Sequence, residues 1–229
     1  MDDDGATLIL TRPADRSEAF LSLCERRLGR RLPSVISPVI EILPSGDIPD
    51  LSPYRTVILT SASAVVRLAE AGVLAGQRVA TVGERTAALA RESGAEATCL
   101  GENVDTFLSG AGDLAVPCIH CHGQHVRGRL AERLTERGTP CDAVVVYDQV
   151  SRPLTPAARA LLSGPNPVVL PLFSPRTARL VAQGGSITAP RIVIAMSKAV
   201  AEEWPAGGDV RIAQEPTIDA MCDMVIDAF

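Results

Sequence analysis

VILTSASAVVRLAEAG, residues 57–72, is the stretch on which the fold turns. A short β-prone run enters a serine-rich turn, and the apolar residues beyond it recur at helical spacing until Gly72 ends them. Ser61 or Ser63 is the candidate N-cap of that helix. The plan of strand, hydroxyl-bearing turn and helix returns at VVLPLFSPRTARLVAQGG, residues 168–185. Each copy is followed by a second unit. The first is Gln77 to Val82 with Gly83-Glu84-Arg85-Thr86 and a helix over 87–92. The second is Arg191 to Met196 with Ser197-Lys198-Ala199 and a helix stopped by Pro205. This internal repeat predicts two similar lobes, a natural division for 229 residues.

Toward the N-terminus, Thr7 to Thr11 reads as a strand ending at Arg12-Pro13. Glu18 to Leu28 carries Phe20, Leu21, Cys24 and Leu28 at helical spacing. Leu32 to Ser37 is a second strand, and Ser37-Pro38 opens an extended crossover over 39–43, because the residue before proline avoids helical geometry. Beyond the central units, residues 101–112 read as a polar segment. Val116 to His122 is a strand, 123–128 a turn and 129–137 a helix closed by Gly138. Cys141 to Val146 then leads through Tyr147-Asp148-Gln149 into a second extended segment, Arg152-Pro153-Leu154. Asp209 to Ala213 and Glu215-Pro216-Thr217 precede a terminal helix. The alternation predicts an α/β protein of two flavodoxin-like parallel-sheet lobes.

Composition narrows the function. Apolar residues make up 46% of the chain and aromatics 3%, which suits a buried parallel sheet covered by helices. The net charge is −5 and the basic residues are dispersed, so no nucleic-acid partner is expected. The start, Met1-Asp2-Asp3-Asp4-Gly5, is acidic where an export signal is basic and apolar, and no run approaches a membrane span. A cytoplasmic protein with no membrane contact is expected. Its six cysteines should stay reduced, with Cys24, Cys99, Cys141 and Cys222 as small core residues.

Ligands of open parallel sheets bind at the carboxyl ends of the strands, where helix N-termini present free N–H groups. Those positions carry Ser61, Ser63, Thr86, Ser174, Thr177, Ser197 and Thr217. Each hydroxyl has two readings, an ordinary N-cap or a donor to an anionic ligand. Their recurrence in both lobes favours a cleft that takes several carboxylates. Cys118-Ile119-His120-Cys121-His122 matches the haem-attachment spacing, but it falls in a strand. Alternation there sends Cys118, His120 and His122 to one face and Cys121 to the other, so no metal site is expected. The run reads as a buried strand with His122 at its end; His122 and His125 either line the cleft or act on protons. Residues 123–130 miss a phosphate loop for want of its Lys-Ser/Thr pair, and neither a dinucleotide fingerprint nor a Gly-x-Ser-x-Gly elbow is present. That sparseness suits a substrate that supplies its own reactivity.

Taken in order, LILTRP (8–13), SPVIEILP (37–44), TSASAV (60–65), VGERTA (82–87), LTERG (134–138), VVVYDQV (144–150), LFSPRTA (172–178) and EPTIDAM (215–221) resemble the uroporphyrinogen-III synthase family of tetrapyrrole, porphyrin and haem biosynthesis. The resemblance implies two lobes joined by a two-stranded linker. Lobe one spans 1–37 with 150–229, lobe two spans 38–149, and the linker strands lie near 37–43 and 147–154. It implies a lyase that converts hydroxymethylbilane to uroporphyrinogen III with loss of water and inversion of ring D, without cofactor or metal. It places Tyr147 as the catalytic residue assisting departure of the hydroxyl. Thr86, Ser174 and Thr217 fall on cleft positions, and Ser61, Ser63, His122, Thr177 and Ser197 join them as substrate-binding residues. Where family members often carry arginine before the glycine, this chain has His122-Gly123. A monomer is expected, with transient contact to the preceding pathway enzyme. The alternative is a non-catalytic two-lobed binding protein for an anionic small molecule.

Overall fold

The computed structural model describes residues 5–125 and 128–229. The acidic start at 1–4, and residues 126–127 of the expected 123–128 turn, lie outside the described residues. The chain divides into two compact units, one built from residues up to Glu41 with Val150–Phe229, the other from Ile42–Gln149.

In chain order the elements are β1 (Thr7–Leu10), α1 (Ala14–Leu28), β2 (Ser34–Ile36), β3 (Ile40–Pro44), β4 (Thr56–Leu59), α2 (Ala62–Glu70), β5 (Arg78–Val82), α3 (Glu84–Glu92) and β6 (Glu96–Gly101). They continue with α4 (Val104–Gly110), β7 (Cys118–Gly123), α5 (Leu130–Glu136), β8 (Cys141–Ser151), α6 (Pro156–Ser163), β9 (Val168–Leu172), α7 (Pro175–Ala182), β10 (Arg191–Ala195), α8 (Lys198–Glu202), β11 (Asp209–Ile212) and α9 (Ile218–Ile226).

The terminal unit holds a five-stranded sheet of order β11-β10-β9-β1-β2, with parallel pairings throughout. Counted along the chain this is 2-1-3-4-5, the flavodoxin-like order. The central sheet runs β3-β8-β7-β4-β5-β6, and the pairs from β8 to β6 are parallel. Taken from β4 its order is 3-2-1-4-5. The two plans are circular permutations of one another. Reading the terminal unit from β9 through β10 and β11 to β1 and β2 also gives 3-2-1-4-5. The repeat legible in the sequence, 57–72 against 168–185, is therefore the same β-α step of this plan, β4-α2 and β9-α7.

Both faces of the central sheet are covered. Val57, Leu59, Ile119, Cys121, Val146 and Tyr147 pack with Ala64, Val65, Leu68, Ala87 and Ala90 of α2 and α3. Ile58, Ala80 and Cys118 pack on the other face with Phe107, Leu108, Leu130 and Leu134 of α4 and α5. Apolar residues on both sides of each strand are what a doubly wound sheet requires. In the terminal unit Leu8, Leu10, Val169 and Ile194 pack with Phe20, Cys24, Met221, Cys222 and Val225 of α1 and α9.

Several elements depart from expectation. The polar segment at 101–112 holds α4, whose start is fixed by a capping box in which Asn103 accepts from the N–H of Asp105 and Thr106. Threonine fills the position usually occupied by Glu or Gln, so the usual sequence signature of a capping box is absent. β6 precedes it and α6 was also unforeseen, although Thr155 caps it and Pro156 stands at its first position. Helix α1 starts directly after Pro13, not at 18. β8 runs unbroken for 11 residues through Tyr147. Cys99 and Cys141, expected in the core, are only partly buried, whereas Cys24 and Cys222 are buried. Among the described residues no helix is long and apolar enough to cross a membrane.

Candidate functional site

In open α/β sheets the ligand crevice lies beyond the carboxyl ends of the strands, where the winding direction reverses. The reversal falls between β4 and β7 in the central unit and between β9 and β1 in the terminal unit. In the central unit Thr60 and Ser61 follow β4, and His122 and Gly123 end β7. Across this point Thr60 Oγ1 and His120 Nε2 lie 3.3 Å apart. In the terminal unit Arg12 follows β1 and stacks its guanidinium over Phe173, beyond β9, at 4.3 Å from the ring centroid.

Each hydroxyl named from sequence sits at the N-terminal end of a helix, but they differ in what they already do. Ser61 caps α2, accepting from Ser63 N–H at 3.2 Å. Ser174 caps α7, accepting from Thr177 N–H at 3.1 Å and donating to Thr177 Oγ1 at 2.8 Å. Thr217 caps α9 through Ala220 N–H at 3.2 Å. Ser197 holds the N-cap position of α8 with no side-chain capping bond. Thr86 lies in the first turn of α3, whose N-cap is Gly83 at φ 80°, a conformation suited to glycine. Ser63 is buried. Capping and ligand binding are compatible. A capping hydroxyl spends a lone pair and keeps its O–H. In the Ser174–Thr177 pair the serine proton is spent on Thr177, so Thr177 is the member with a proton to offer.

Tyr147 is placed by an irregularity that the sequence does not announce. His122 pairs with Val145, but Gly123 pairs with Tyr147, so Val146 is an extra residue in β8. A bulge of this kind shifts alternation by one residue. Unbroken pairing would send Tyr147 to the face of His122. The bulge turns it to the face of Ile119 and Cys121, where it is 6% exposed in the α2–α3 core cluster. Its phenol has no hydrogen-bond partner among the described residues. Gln124 N–H donates to its carbonyl at 2.9 Å.

The histidines divide by depth. His120 is 2% exposed, and burial together with nearby His122 pushes its pKa down to about 3, so it is neutral at physiological pH. The His120 and His122 rings stand 4.8 Å apart. His122 Nδ1–H donates to the Gly123 carbonyl at 2.8 Å, which fixes the tautomer of the neutral ring and leaves Nε2 as an acceptor. His125 lies 3.8 Å from Asp148 Oδ1. Burial disfavours the thiolate form of the cysteines in and beside β7. Burial pushes Cys121 and Cys141 up to about 12, and Cys118 upward. Cys118 and Cys121 belong to core clusters on opposite sheet faces. Among the described residues no group of three or more His, Cys, Asp or Glu is arranged to hold a metal ion. Thr60, His120 and Gly123 were not singled out as site residues from sequence. Their roles depend on strands brought together from distant segments.

Two doubly wound units thus carry hydroxyls and first-turn amides at the carboxyl ends of their strands. The family model described as uroporphyrinogen-III synthase HemD matches residues 26–223. The chain belongs to the uroporphyrinogen-III synthase family, cyclising lyases of haem biosynthesis that act on hydroxymethylbilane. The crystal structure of a uroporphyrinogen-III synthetase from Helicobacter pylori is similar to it, with a TM-score of 0.69 at 16% identity, covering 98% of this chain and 100% of that one. A mutant uroporphyrinogen III synthase from the extreme thermophile Thermus thermophilus gives 0.52 at 15% identity, covering 98% of each chain. At these identities the likeness shows the fold. No curated protein matches. The family match does not favour the non-catalytic binding-protein alternative.

Proposed function

We propose that Tyr147 assists loss of the hydroxyl group from hydroxymethylbilane, and that Ser61, Ser63, Thr86, His122, Ser174, Thr177, Ser197 and Thr217 hold the substrate. The observation that carries this reading is the Tyr147 phenol, held beside the end of β7 with no hydrogen-bond partner among the described residues. A phenol O–H donating to the departing hydroxyl lowers the cost of breaking the carbon–oxygen bond. The hydroxyl leaves as water with the donated proton, ring A is left as an azafulvenium cation, and the proton that ring D loses on the final closure returns to the phenolate. Ring D attacks it through its already substituted carbon. The spiro intermediate opens and recloses with ring D inverted, so the reaction consumes no external reductant or oxidant. The protein's part is to hold the ends of the chain together and to steer attack to one carbon of ring D.

The eight carboxylates of the linear tetrapyrrole call for many donors without bulk positive charge. Capping hydroxyls and the amides at the helix N-termini supply them, consistent with a net charge of −5. His122 has its Nδ1 engaged by the Gly123 carbonyl, which leaves Nε2 to meet a polar group of the substrate. We place the enzyme in the cytoplasm as a monomer, in transient contact with the enzyme that delivers its unstable substrate.

The test is direct. Purified protein is incubated with hydroxymethylbilane, the products are oxidised, and the type I and type III uroporphyrins are separated. Type III should dominate; type I alone from folded protein would defeat the activity. Tyr147→Phe should lower kcat by at least about tenfold, and unchanged turnover removes the proton-donor role.

A further inference from the structure

We infer that Gly123 is a positioning residue for Tyr147, kept free of a side chain so that the phenol ring can lie across the end of β7. The inference rests on the reading of Tyr147 given above. A Cβ at Gly123 would stand 2.5 Å from Tyr147 Cζ, 2.6 Å from Cε2 and 2.9 Å from the phenol oxygen, all well inside contact distance. The backbone does not ask for glycine here, because Gly123 is not among the positive-φ glycines. Space for the ring is therefore what excludes a larger residue.

Two further features hold the arrangement in place. The bulge at Val146 sets Tyr147 opposite Gly123. The backbone on both sides is then tied, by Gln124 N–H to the Tyr147 carbonyl at 2.9 Å and by His122 Nδ1–H to the Gly123 carbonyl at 2.8 Å. With both strands held, an added methyl at 123 displaces the ring and with it the phenol oxygen. The effect on chemistry passes through Tyr147 alone.

The chain has two tyrosines, Tyr54 and Tyr147. Incorporation of 3-fluorotyrosine therefore gives two fluorine resonances, which Tyr147→Phe assigns. In Gly123→Ala the Tyr147 resonance should move while that of Tyr54, bonded to Asp142 at 2.7 Å, stays in place. Turnover should fall about as far as in Tyr147→Phe, by about tenfold or more, with KM altered much less. The double variant should be no slower than the slower single variant. A fixed Tyr147 resonance, or losses that multiply in the double variant, would overturn the inference.

Stability supplies a readout that survives poor folding. Gly123→Ala should lower the thermal midpoint less in a Tyr147→Ala background, where the ring is gone, than in the parent protein. Equal losses in both backgrounds also overturn the inference. If Tyr147→Phe keeps full turnover, the catalytic reading of Tyr147 fails by itself. The resonance shift and the stability comparison then still decide whether Gly123 places the ring.

Discussion

The two units solve one topological problem with different side chains at matching places. The third helical residue after each N-cap points into the protein in both. After β9 it is Thr177, and at the equivalent point after β4 it is Ala64. After β5 it is Thr86, and at the equivalent point after β10 it is Val200, which is 2% exposed. Each unit therefore offers a hydroxyl at one of the two steps and a hydrocarbon at the other. The strand pairings extend the match, aligning His120 of β7 with Leu10 of β1 and His122 with Arg12. A shared fold constrains where a polar group can stand and leaves open which unit supplies it.

The largest expected break between the units is in acid. His120 is neutral in the folded protein, with a pKa of about 3, against about 6.5 when unfolded. The unfolded chain therefore binds a proton below about pH 6.5 that the folded chain refuses until about pH 3, and stability falls as pH is lowered through that window. Between about pH 6.5 and about pH 5 the central unit should lose about 2 kcal/mol. His120→Leu, which copies Leu10, should flatten that slope in urea unfolding followed by hydrogen exchange of β7. An unchanged slope would show that His120 is not its source.

Next in size are the first-turn threonines. Thr86→Val should raise KM roughly tenfold, the loss of one hydrogen bond to a charged partner, with little effect on folding. The reverse change, Val200→Thr, should not tighten binding and should cost stability by placing a hydroxyl in an apolar site. Tighter substrate binding by Val200→Thr would mean that the units are more alike than their residues suggest. Smaller still are the caps. Ser61→Ala and Thr217→Ala should each cost about 1 kcal/mol in chemical unfolding. Ser197→Ala, which removes no capping bond, should stay within about 0.5 kcal/mol.

Much of this was legible in the residues. VILTSASAVV and VVLPLFSPRT announce strand, cap and helix because capping and periodicity act over a few neighbouring residues. Ser61, Ser174 and Thr217 are the caps that their spacing suggests. Asn103 and Thr106 were missed because their capping box uses an unusual partner. Alternation along 118–122 also correctly separated Cys118 from Cys121. The same rule fails in β8, where Val146 is an extra residue in the pairing and Tyr147 changes face.

The sequence by itself determined the repeated strand-turn-helix steps, the hydroxyls at the turns and the family. Each is written in short-range pattern or in an ordered set of motifs. Only the tertiary structure decided that one unit is a permutation of the other, that His120 is buried against Thr60, and that Tyr147 lies over Gly123. Those facts depend on which distant strands become neighbours and in what register, and a one-residue change of register moves a side chain from one face of a sheet to the other.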